Sequence, residues 1–261
     1  MNVKHRIGRR TWLTRTTTGL VSFWVALGLP GTRTGGNEDT GVLIGRGVGL
    51  PTLRDFAGAT VAYAQGQDKM LRVDMGFVAA YVALRGGEIA IVDTGTPNNG
   101  PKIAEVVAAT GLGTDAIRHV ILTHHHPDHA GSIAEVLSLA PDATVYAGAA
   151  DIPRISAGRE IRPVSDGDDV LGLQIIATPG HTLGHVSVFD PAGSALITGD
   201  AAVNVGGRLA SSSPQFTADV AQATESFKKL AGLSFERALF MHGPVMDSGA
   251  SAAFASVAGG L

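Results

Sequence analysis

One segment dominates this sequence: Thr123-His124-His125-His126-Pro127-Asp128-His129. It places four potential metal ligands, spaced as His-x-His-x-Asp-His, within six residues. The apolar run Ile117–Leu122 precedes it and predicts a short β-strand, so the ligands would follow the carboxyl end of that strand. Pro127 restricts the conformation of the backbone at this turn. Taken alone, a run of three histidines is more typical of a solvated surface loop than of a metal site.

The other histidines change that assessment because they also lie beside predicted strand ends. Seven of the nine histidines fall in three places, residues 124–129, 181–185 and 242. Three further candidate ligands at such positions are His181, Asp200 and His242. The chain has no cysteine, so a transition-metal site would have to use imidazole and carboxylate ligands, which suit zinc, iron or manganese. His5 and His119 belong to no such pattern and receive no role.

Five short motifs occur in an order that resembles the metallo-β-lactamase superfamily. They are Val92-Asp93-Thr94-Gly95, the His-x-His-x-Asp-His segment, Pro179-Gly180-His181-Thr182-x-Gly184-His185, Ile197-Thr198-Gly199-Asp200 and His242-Gly243-Pro244. The resemblance covers roughly residues 70–250, which is nearly all of the expected folded part. It implies an α/β fold, a four-layer αββα sandwich with two sheets inside and helices outside. The corresponding catalytic domain is expected over residues 42–261.

The resemblance also implies seven metal ligands. These are His124, His126 and His181 for a first metal, Asp128, His129 and His242 for a second, and Asp200 as a bridge between the two. The expected cofactors are two zinc ions, with iron and manganese as alternatives. Two such ions lower the pKa of a shared water toward about 7, so that a bridging hydroxide would be the nucleophile. Asp128 is in addition the candidate catalytic residue.

Residues beside these ligands are expected to have supporting roles. The resemblance gives Asp93 the task of buttressing the ligand loop through hydrogen bonds, and it leaves His185 as support rather than as a ligand. His125 is expected to be exposed and not to bind metal. The segments Val48–Leu71 and Asn204–Thr217 are expected near the mouth of the site.

The expected reaction is hydrolysis of an ester, lactone, thioester or amide bond in a small-molecule substrate. Zinc β-lactamases of the superfamily generally lack a carboxylate that corresponds to Asp200, which weakens that interpretation. Glyoxalase II-like enzymes carry an added helical region after the last ligand, and the 19 residues after His242 weaken that one too. The remaining alternatives are a zinc β-lactamase, a mononuclear-iron oxidoreductase similar to the persulfide dioxygenases, and a metal-stabilised binding protein without activity.

Charge is unevenly distributed along the chain. The formal net charge is −3, but residues 1–28 contain five basic residues and no acidic one. The remainder therefore carries 15 basic and 23 acidic residues, a formal charge of −8. An acidic protein body is a poor electrostatic match for phosphate backbones, so no nucleic-acid partner is expected.

Residues 1–28 have the build of an export signal, with a basic start, an apolar run and small residues at the end. Gly8-Arg9-Arg10-Thr11-Trp12-Leu13 resembles the twin-arginine pattern, although Trp12 stands where that pattern usually has Phe. We expect transient contact with the twin-arginine export machinery and a periplasmic or secreted protein. No stable membrane insertion is expected, because the apolar run is shorter than the roughly 20 residues of a spanning helix. Residues 29–41 are predicted to be a flexible linker.

Residue patterns predict the elements of the body. Two β-rich runs, Phe77–Leu84 and Glu88–Val92, are separated by Arg85-Gly86-Gly87, which predicts a hairpin. Further strands are predicted at Ile117–Leu122, Thr144–Ala147, Leu171–Thr178, His185–Phe189, Ala195–Thr198 and Ala238–Met241. Helices are predicted at Lys102–Thr110, Ser132–Leu139, Asp219–Leu230 and Ala250–Val257.

Overall fold

The computed structural model describes residues 69–261. The predicted export signal 1–28, the linker 29–41 and residues 42–68 of the predicted catalytic domain lie outside the described residues. Most of the predicted mouth segment 48–71 lies outside them as well, but its last three residues belong to a strand and not to a loop. Within the described part, no helix combines the length and the apolar character that crossing a membrane requires.

Six strands form the first sheet, and they lie in the order in which they follow along the chain. They are β1 (Lys69–Asp74), β2 (Ala79–Arg85), β3 (Glu88–Val92), β4 (Ile117–Leu122), β5 (Thr144–Gly148) and β6 (Ile161–Val164). Strands β1 to β3 are antiparallel, whereas β3 to β6 run parallel. The predicted hairpin is confirmed: Arg85 pairs with Glu88, and Gly86 and Gly87 both adopt positive φ, which glycine does without strain.

The second sheet has five strands in the order β13-β10-β9-β8-β7. They are β7 (Asp169–Val170), β8 (Leu173–Ala177), β9 (Val186–Asp190), β10 (Ala195–Ile197) and β13 (Arg237–Leu239). Only the pair β10 and β13 is parallel among these described strands. A separate two-stranded hairpin consists of β11 (Ala202–Val205) and β12 (Arg208–Ser211).

Five helices accompany the sheets in the described part of the chain. They are α1 (Gly100–Ala108), α2 (Pro127–Ala130), α3 (Ile133–Leu139), α4 (Val220–Ala231) and α5 (Ala250–Ala258). All four predicted helices are confirmed, and each observed end lies within two residues of the predicted end. Helix α4 begins where the sequence predicts, because the Asp219 side chain accepts a hydrogen bond from the backbone N–H of Gln222 and caps the first turn.

Alternation along the second sheet shows how the layers are stacked. Ile175 belongs to the core that the two sheets share, whereas its neighbour Ile176 belongs to the core beneath α4 and α5. Ile197 and Leu196 divide in the same way. Successive side chains of a strand point to opposite faces, so this sheet is covered on both faces. Helices α1 and α3 add their apolar side chains to the first sheet, and the predicted four-layer αββα sandwich is confirmed.

The topology brings several strand ends to one edge of the sandwich. Strands β3, β4 and β5 are parallel, and Asp93 and His124 follow the ends of the first two. In the other sheet β10 and β13 are parallel, and Asp200 and His242 follow their ends. His181 lies in the connection from β8 to β9. The candidate ligands therefore all lie at the same edge, where loops from both sheets meet.

The main differences from the predicted elements are strands that the sequence patterns missed and the short helix α2, which was expected to be part of a loop. The sequence patterns missed β1, β6, β7, β11 and β12. Strand β1 has a mixed composition because most of its side chains are only half-buried. In the hairpin β11–β12, the buried residues of β11 are the small Ala202 and the polar Asn204, so burial produces no apolar alternation there. The predicted strand Leu171–Thr178 was too long at its start: Leu171 and Gly172 have positive φ and form the turn between β7 and β8.

Candidate metal centre

The first ligand group, His124, His126 and His181, converges through its ring nitrogens. Nδ1 of His126 lies 3.0 Å from Nε2 of His124 and 3.0 Å from Nε2 of His181. One proton on that nitrogen cannot satisfy both neighbours, whereas a cation between the three rings can. Nitrogens of a tetrahedral zinc site lie about 3.3 Å apart, since each Zn–N bond is about 2.0–2.1 Å long. The spacing of this group is close to that value.

The second ligand group, Asp128, His129 and His242, has similar dimensions. Nε2 of His129 lies 3.3 Å from Nε2 of His242, and Oδ2 of Asp128 lies 3.4 Å from the latter and 3.8 Å from the former. Asp128 and His129 are neighbours on the short helix α2, which follows the ligand loop, and His242 arrives from the opposite sheet. A cation could therefore be held by residues of both halves of the sandwich.

Asp200 lies between the two groups. Its Oδ2 is 3.4 Å from Nε2 of His181 in the first group, and its Oδ1 is 3.3 Å from Nε2 of His129 and 3.4 Å from Nε2 of His242 in the second. Oδ1 is buried and has no hydrogen-bond partner. A buried, unsatisfied carboxylate oxygen is costly unless a cation satisfies it. The described residues thus fit two cations that share this carboxylate.

Asp93 orients His129 of the second group through a hydrogen bond. Its Oδ1 accepts a hydrogen bond from the backbone N–H of Thr123 at 2.7 Å, and its Oδ2 accepts from the Thr123 hydroxyl and from Nδ1 of His129, each also at 2.7 Å. This contact orients the ring so that Nε2 faces the centre, where a cation could bind it in place of its proton. Nδ1 of His242 donates in the same manner to the carbonyl of Phe77 at 2.9 Å.

The first group has fewer such contacts. Nδ1 of His124 lies 3.1 Å from the Thr123 hydroxyl, and it is the donor because that hydroxyl donates to Asp93. Nδ1 of His181 is buried and has no hydrogen-bond partner among the described residues. His181 is therefore held mainly by the packing of its loop.

His185 supports Asp200 and does not face the centre. Its Nε2 accepts a hydrogen bond from the backbone N–H of Asp200 at 2.9 Å, and its Nδ1 donates to the hydroxyl of Thr178 at 2.8 Å. Burial lowers the pKa of His185 to about 3, so the ring is neutral and can accept that bond. Gly199 allows the close approach: a Cβ at this residue would lie 2.5 Å from Nε2 of His185.

Asp151, which the sequence patterns missed, joins the two ligand loops of the first group. It is buried, and its carboxylate accepts hydrogen bonds from the Thr182 hydroxyl at 2.6 Å, from the Gly184 N–H at 2.8 Å and from the His125 N–H at 3.1 Å. Its position shortly after β5, parallel to β4, was the available signal. The expectation that His125 is exposed was wrong: its side chain is 14% exposed and lies with Nδ1 3.0 Å from Asp151.

The two groups differ in electrostatics. Burial, and after it the neighbouring histidines, hold the pKa of His124 well below its usual value, and burial lowers the pKa of His181 to about 4. In the second group burial acts in the same direction on His129, but the charges of Asp200 and Asp93 outweigh it and hold its pKa well above the usual value. Burial also acts to lower the pKa of His242, but its hydrogen bond with Asp128 and the charge of Asp200 outweigh burial and raise it.

Two clefts open onto the centre. The apolar cleft has a volume of 610 Å³ and includes Phe77, Val203, Val205 and Phe216 beside ligands of both groups. The polar cleft has a volume of 380 Å³ and is lined, among others, by His125, Asp151, Arg154, Thr182, Leu183 and Gln215. His126, His181 and Phe216 line both clefts. The expectation that Asn204–Thr217 lies at the mouth of the site is confirmed, because several of its residues belong to these walls.

Comparison with known proteins decides the family. The model of the metallo-beta-lactamase superfamily matches residues 73–242, which include all seven candidate ligands and both sheets. This chain belongs to the metallo-β-lactamase superfamily. The cluster of histidines and aspartates within this match could bind metal.

Relatives within the superfamily differ in how much of their length is matched. A hydroxyacylglutathione hydrolase of Erwinia tasmaniensis is 42% identical over 150 residues, covering 55% of this chain and 52% of that protein. The probable metallo-hydrolase YflN of Bacillus subtilis is 31% identical over 199 residues, covering 59% of this chain and 74% of that protein. The chain thus spans about half the length of the hydroxyacylglutathione hydrolases it matches.

Solved structures show the same fold. The metallo-beta-lactamase family protein TTHA1429 of Thermus thermophilus superposes with a TM-score of 0.58 at 22% identity. The superposition covers 74% of this chain and 78% of that chain. The structure and the superfamily match therefore agree on the αββα sandwich.

Proposed function

We propose that this metallo-β-lactamase superfamily protein binds two zinc ions and hydrolyses a thioester. The observation that carries the proposal is the Asp200 carboxylate, which directs one oxygen to each ligand group. A mononuclear site would leave one of these groups without a cation, and a cation in the first group alone would leave Oδ1 of Asp200 buried and unsatisfied. Iron and manganese remain alternative metals, because imidazole and carboxylate accept all three.

The proposed ligands are the first group for one ion, the second group for the other, and Asp200 for both. When bound, such a pair of ions makes water nucleophilic near neutral pH and polarises the scissile carbonyl. The chain itself fixes the ligand geometry: Asp93 and the carbonyl of Phe77 orient His129 and His242, and His185 holds the backbone of Asp200. The contacts of His129 and His242 orient these two imidazoles so that Nε2 of each faces the centre.

Asp128 fits the role of an ionised ligand in the cleft wall. Burial would raise the pKa of Asp128, but its hydrogen bond with His242 and the charge of His129 outweigh burial and lower it. A carboxylate with a lowered pKa stays ionised at neutral pH, so it is better suited to binding a cation or stabilising positive charge than to storing a proton. A catalytic role for Asp128 in addition to binding stays a prediction.

The choice of bond rests on the relatives. Several proteins that match this chain at 35% to 42% identity are hydroxyacylglutathione hydrolases, which cleave thioesters. The motifs alone left ester, lactone, thioester and amide bonds open. The similarity favours the thioester among them, and it runs against our expectation that a glyoxalase II-like activity is disfavoured.

Export through the twin-arginine route remains part of the proposal. It is supported by the basic and apolar pattern of residues 1–28 and by Arg9 and Arg10 within it. The proposed location is periplasmic or secreted. Fractionation of cells that express the chain with Arg9→Lys and Arg10→Lys tests this, and export of the double variant at the normal level would refute the route.

A hydrolysis panel on zinc-loaded protein tests the activity. A hydroxyacylglutathione thioester, an aryl ester, a lactone and a β-lactam are compared, while bound metal is measured by atomic absorption. We expect thioester cleavage with two zinc ions per chain. Cleavage of the β-lactam alone, or one iron per chain with oxygen consumption on a persulfide, would replace the proposal by the corresponding alternative.

A further inference from the structure

The polar cleft contains a cation whose charge no carboxylate neutralises. Arg154 is exposed, and its one polar contact among the described residues is from Nη1 to Nε2 of His125 at 3.4 Å. No carboxylate of residues 69–261 forms an ion pair with it, and it takes no part in the ligand groups. Asp151 is the acidic residue in this cleft wall, and its oxygens already accept hydrogen bonds from Thr182, Gly184 and His125.

One contact links Arg154 to the ligand loop. Asp151 lies 3.0 Å from Nδ1 of His125, whose opposite nitrogen lies 3.4 Å from Nη1 of Arg154. The same loop that joins the ligands of the first group thus also contacts this cation in the cleft. A guanidinium with free N–H groups binds a planar anion through two parallel hydrogen bonds. No second arginine or lysine of the described residues lines this cleft, which favours a singly charged carboxylate over a phosphate dianion.

The apolar cleft has the opposite character. Phe77, Val205 and Phe216 are each more than 60% exposed, although they are large apolar side chains, and they lie together in its wall. Clustered exposed apolar side chains mark a binding surface more often than scattered ones do. Within residues 69–261, no acidic or basic residue lines this cleft other than the candidate ligands Asp128 and Asp200 and the histidines beside them.

The two clefts meet at the first ligand group. His126 and His181 line both of them, so a molecule that enters both clefts passes over the proposed reaction centre. We infer that the substrate is an amphipathic thioester, with an apolar group in the apolar cleft and a carboxylate bound by Arg154 in the polar cleft. This inference rests on the proposed function and names the substrate class of the same site. Arg154 is accordingly a specificity-determining residue.

Five thioesters test the inference on the zinc-loaded full chain. Acetyl and octanoyl groups are each joined to 3-mercaptopropionate and to its neutral amide, and a monosuccinyl thioester of octanethiol covers the reverse orientation of the charge. The octanoyl thioester of 3-mercaptopropionate, or the monosuccinyl thioester of octanethiol, should have the highest kcat/KM of the set. Arg154→Gln should lower kcat/KM for the carboxylate substrates about fivefold to tenfold, mainly through KM, and leave the amides unchanged.

Matched variants separate this effect from general damage. Arg154→Lys retains the charge and should recover part of the loss, whereas Arg162→Gln removes a cation on β6 outside both clefts and should change nothing. Val205→Asn should reduce the preference for octanoyl over acetyl, and Leu261→Asn, at a similarly exposed apolar residue outside the clefts, should not. Equal effects of Arg154→Gln on carboxylates and amides, or no effect on either, would overturn the inference.

A binding measurement keeps the inference separate from the activity. The inert thioether S-octyl-3-mercaptopropionate and its amide are titrated into zinc-loaded protein by calorimetry. We expect the acid to bind more tightly than the amide. The factor between their two dissociation constants should fall about fivefold to tenfold in Arg154→Gln. If no thioester is cleaved but this factor falls, the proposed function fails, and only the assignment of an amphipathic carboxylate ligand to the two clefts stands. An unchanged factor overturns the substrate class even if thioesters are cleaved.

Discussion

The two ligand groups use the same chemistry, yet the protein holds them in different ways. In the first group, burial leaves neutral imidazoles, and Nδ1 of His181 has no partner in the described structure. In the second group, His129 is tied to Asp93 and His242 to the backbone of Phe77, and nearby carboxylates raise the pKa of both rings. The second group is therefore preorganised, but its rings favour the protonated form in the absence of metal. The rings of the first group are neutral, but they are less firmly supported.

Asp200 connects the groups, and its removal should have the largest effect. Asp200→Asn keeps the size of the side chain but cannot place a charged oxygen on each of two cations. We expect thioester hydrolysis to fall by about 10³-fold, since several kcal/mol of transition-state stabilisation depend on the metal pair. Bound zinc should fall from two ions per chain to at most one. The control is Asp166→Asn, which removes an exposed carboxylate paired with Lys229 and should leave both ions bound. Retention of both zinc ions in Asp200→Asn would contradict the assignment of Asp200 as a shared ligand.

Asp93→Asn should separate the groups. The amide cannot accept the proton of Nδ1 of His129 through the atom that replaces Oδ2, so the second group loses its orientation. Zinc affinity at the second equivalent should weaken about 10-fold to 100-fold, while the first equivalent changes by less than about twofold. Asp247→Asn, an exposed carboxylate remote from the centre, should alter neither. Equal weakening of both equivalents in a zinc-indicator competition would show that Asp93 supports the whole centre and not one half.

The pH dependence of zinc binding should also differ between the groups. The pKa of His129 is raised in the metal-free protein, so zinc must displace a proton from this ring at neutral pH. The zinc affinity of the second group should therefore rise with pH until the pH exceeds that pKa. The expected slope is about tenfold per pH unit for each proton displaced. In the first group the affinity should stay constant from neutral pH down toward the pKa of His181, about 4. Calorimetry at pH 6, 7 and 8 measures both, and a common slope would remove the distinction.

Replacement of the Phe77 ring should have the smallest effect on metal binding. The carbonyl of Phe77, and not its ring, accepts the proton of His242, although the ring stacks on His242 with centroids 6.0 Å apart. Phe77→Ala should therefore change zinc affinity by less than about twofold, while kcat/KM for an octanoyl thioester falls about fivefold through lost apolar contact. Leu183→Ala, an equally exposed residue of the polar cleft, is the control. Loss of the second zinc in Phe77→Ala would show that the ring itself positions His242.

The sequence predicted what local patterns encode. Strand ends, the hairpin at Gly86 and Gly87, and the capped start of α4 at Asp219 follow from turn chemistry and periodicity, and they place the ligands on loops. The grouping of those ligands came from the resemblance to a family, because spacing alone does not tell which distant loops meet.

Other features could not be predicted because they depend on tertiary contacts. Asp151 is one acidic residue among many in the sequence, and only the approach of the loops around His125 and Thr182 gives it two partners. Leu171 interrupts a continuous apolar run by adopting positive φ, which no periodicity reveals. In the hairpin β11–β12 the buried face of β11 carries the polar Asn204 beside the small Ala202, so hydrophobic alternation gives no signal for it.

Anomalous diffraction at the zinc edge from crystals of the zinc-loaded protein tests the central claim most directly. The account predicts two peaks roughly 3.5–4 Å apart, one within the first ligand group and one within the second, with the Asp200 carboxylate between them. A single peak, or two peaks of which one lies away from Asp200, would contradict it.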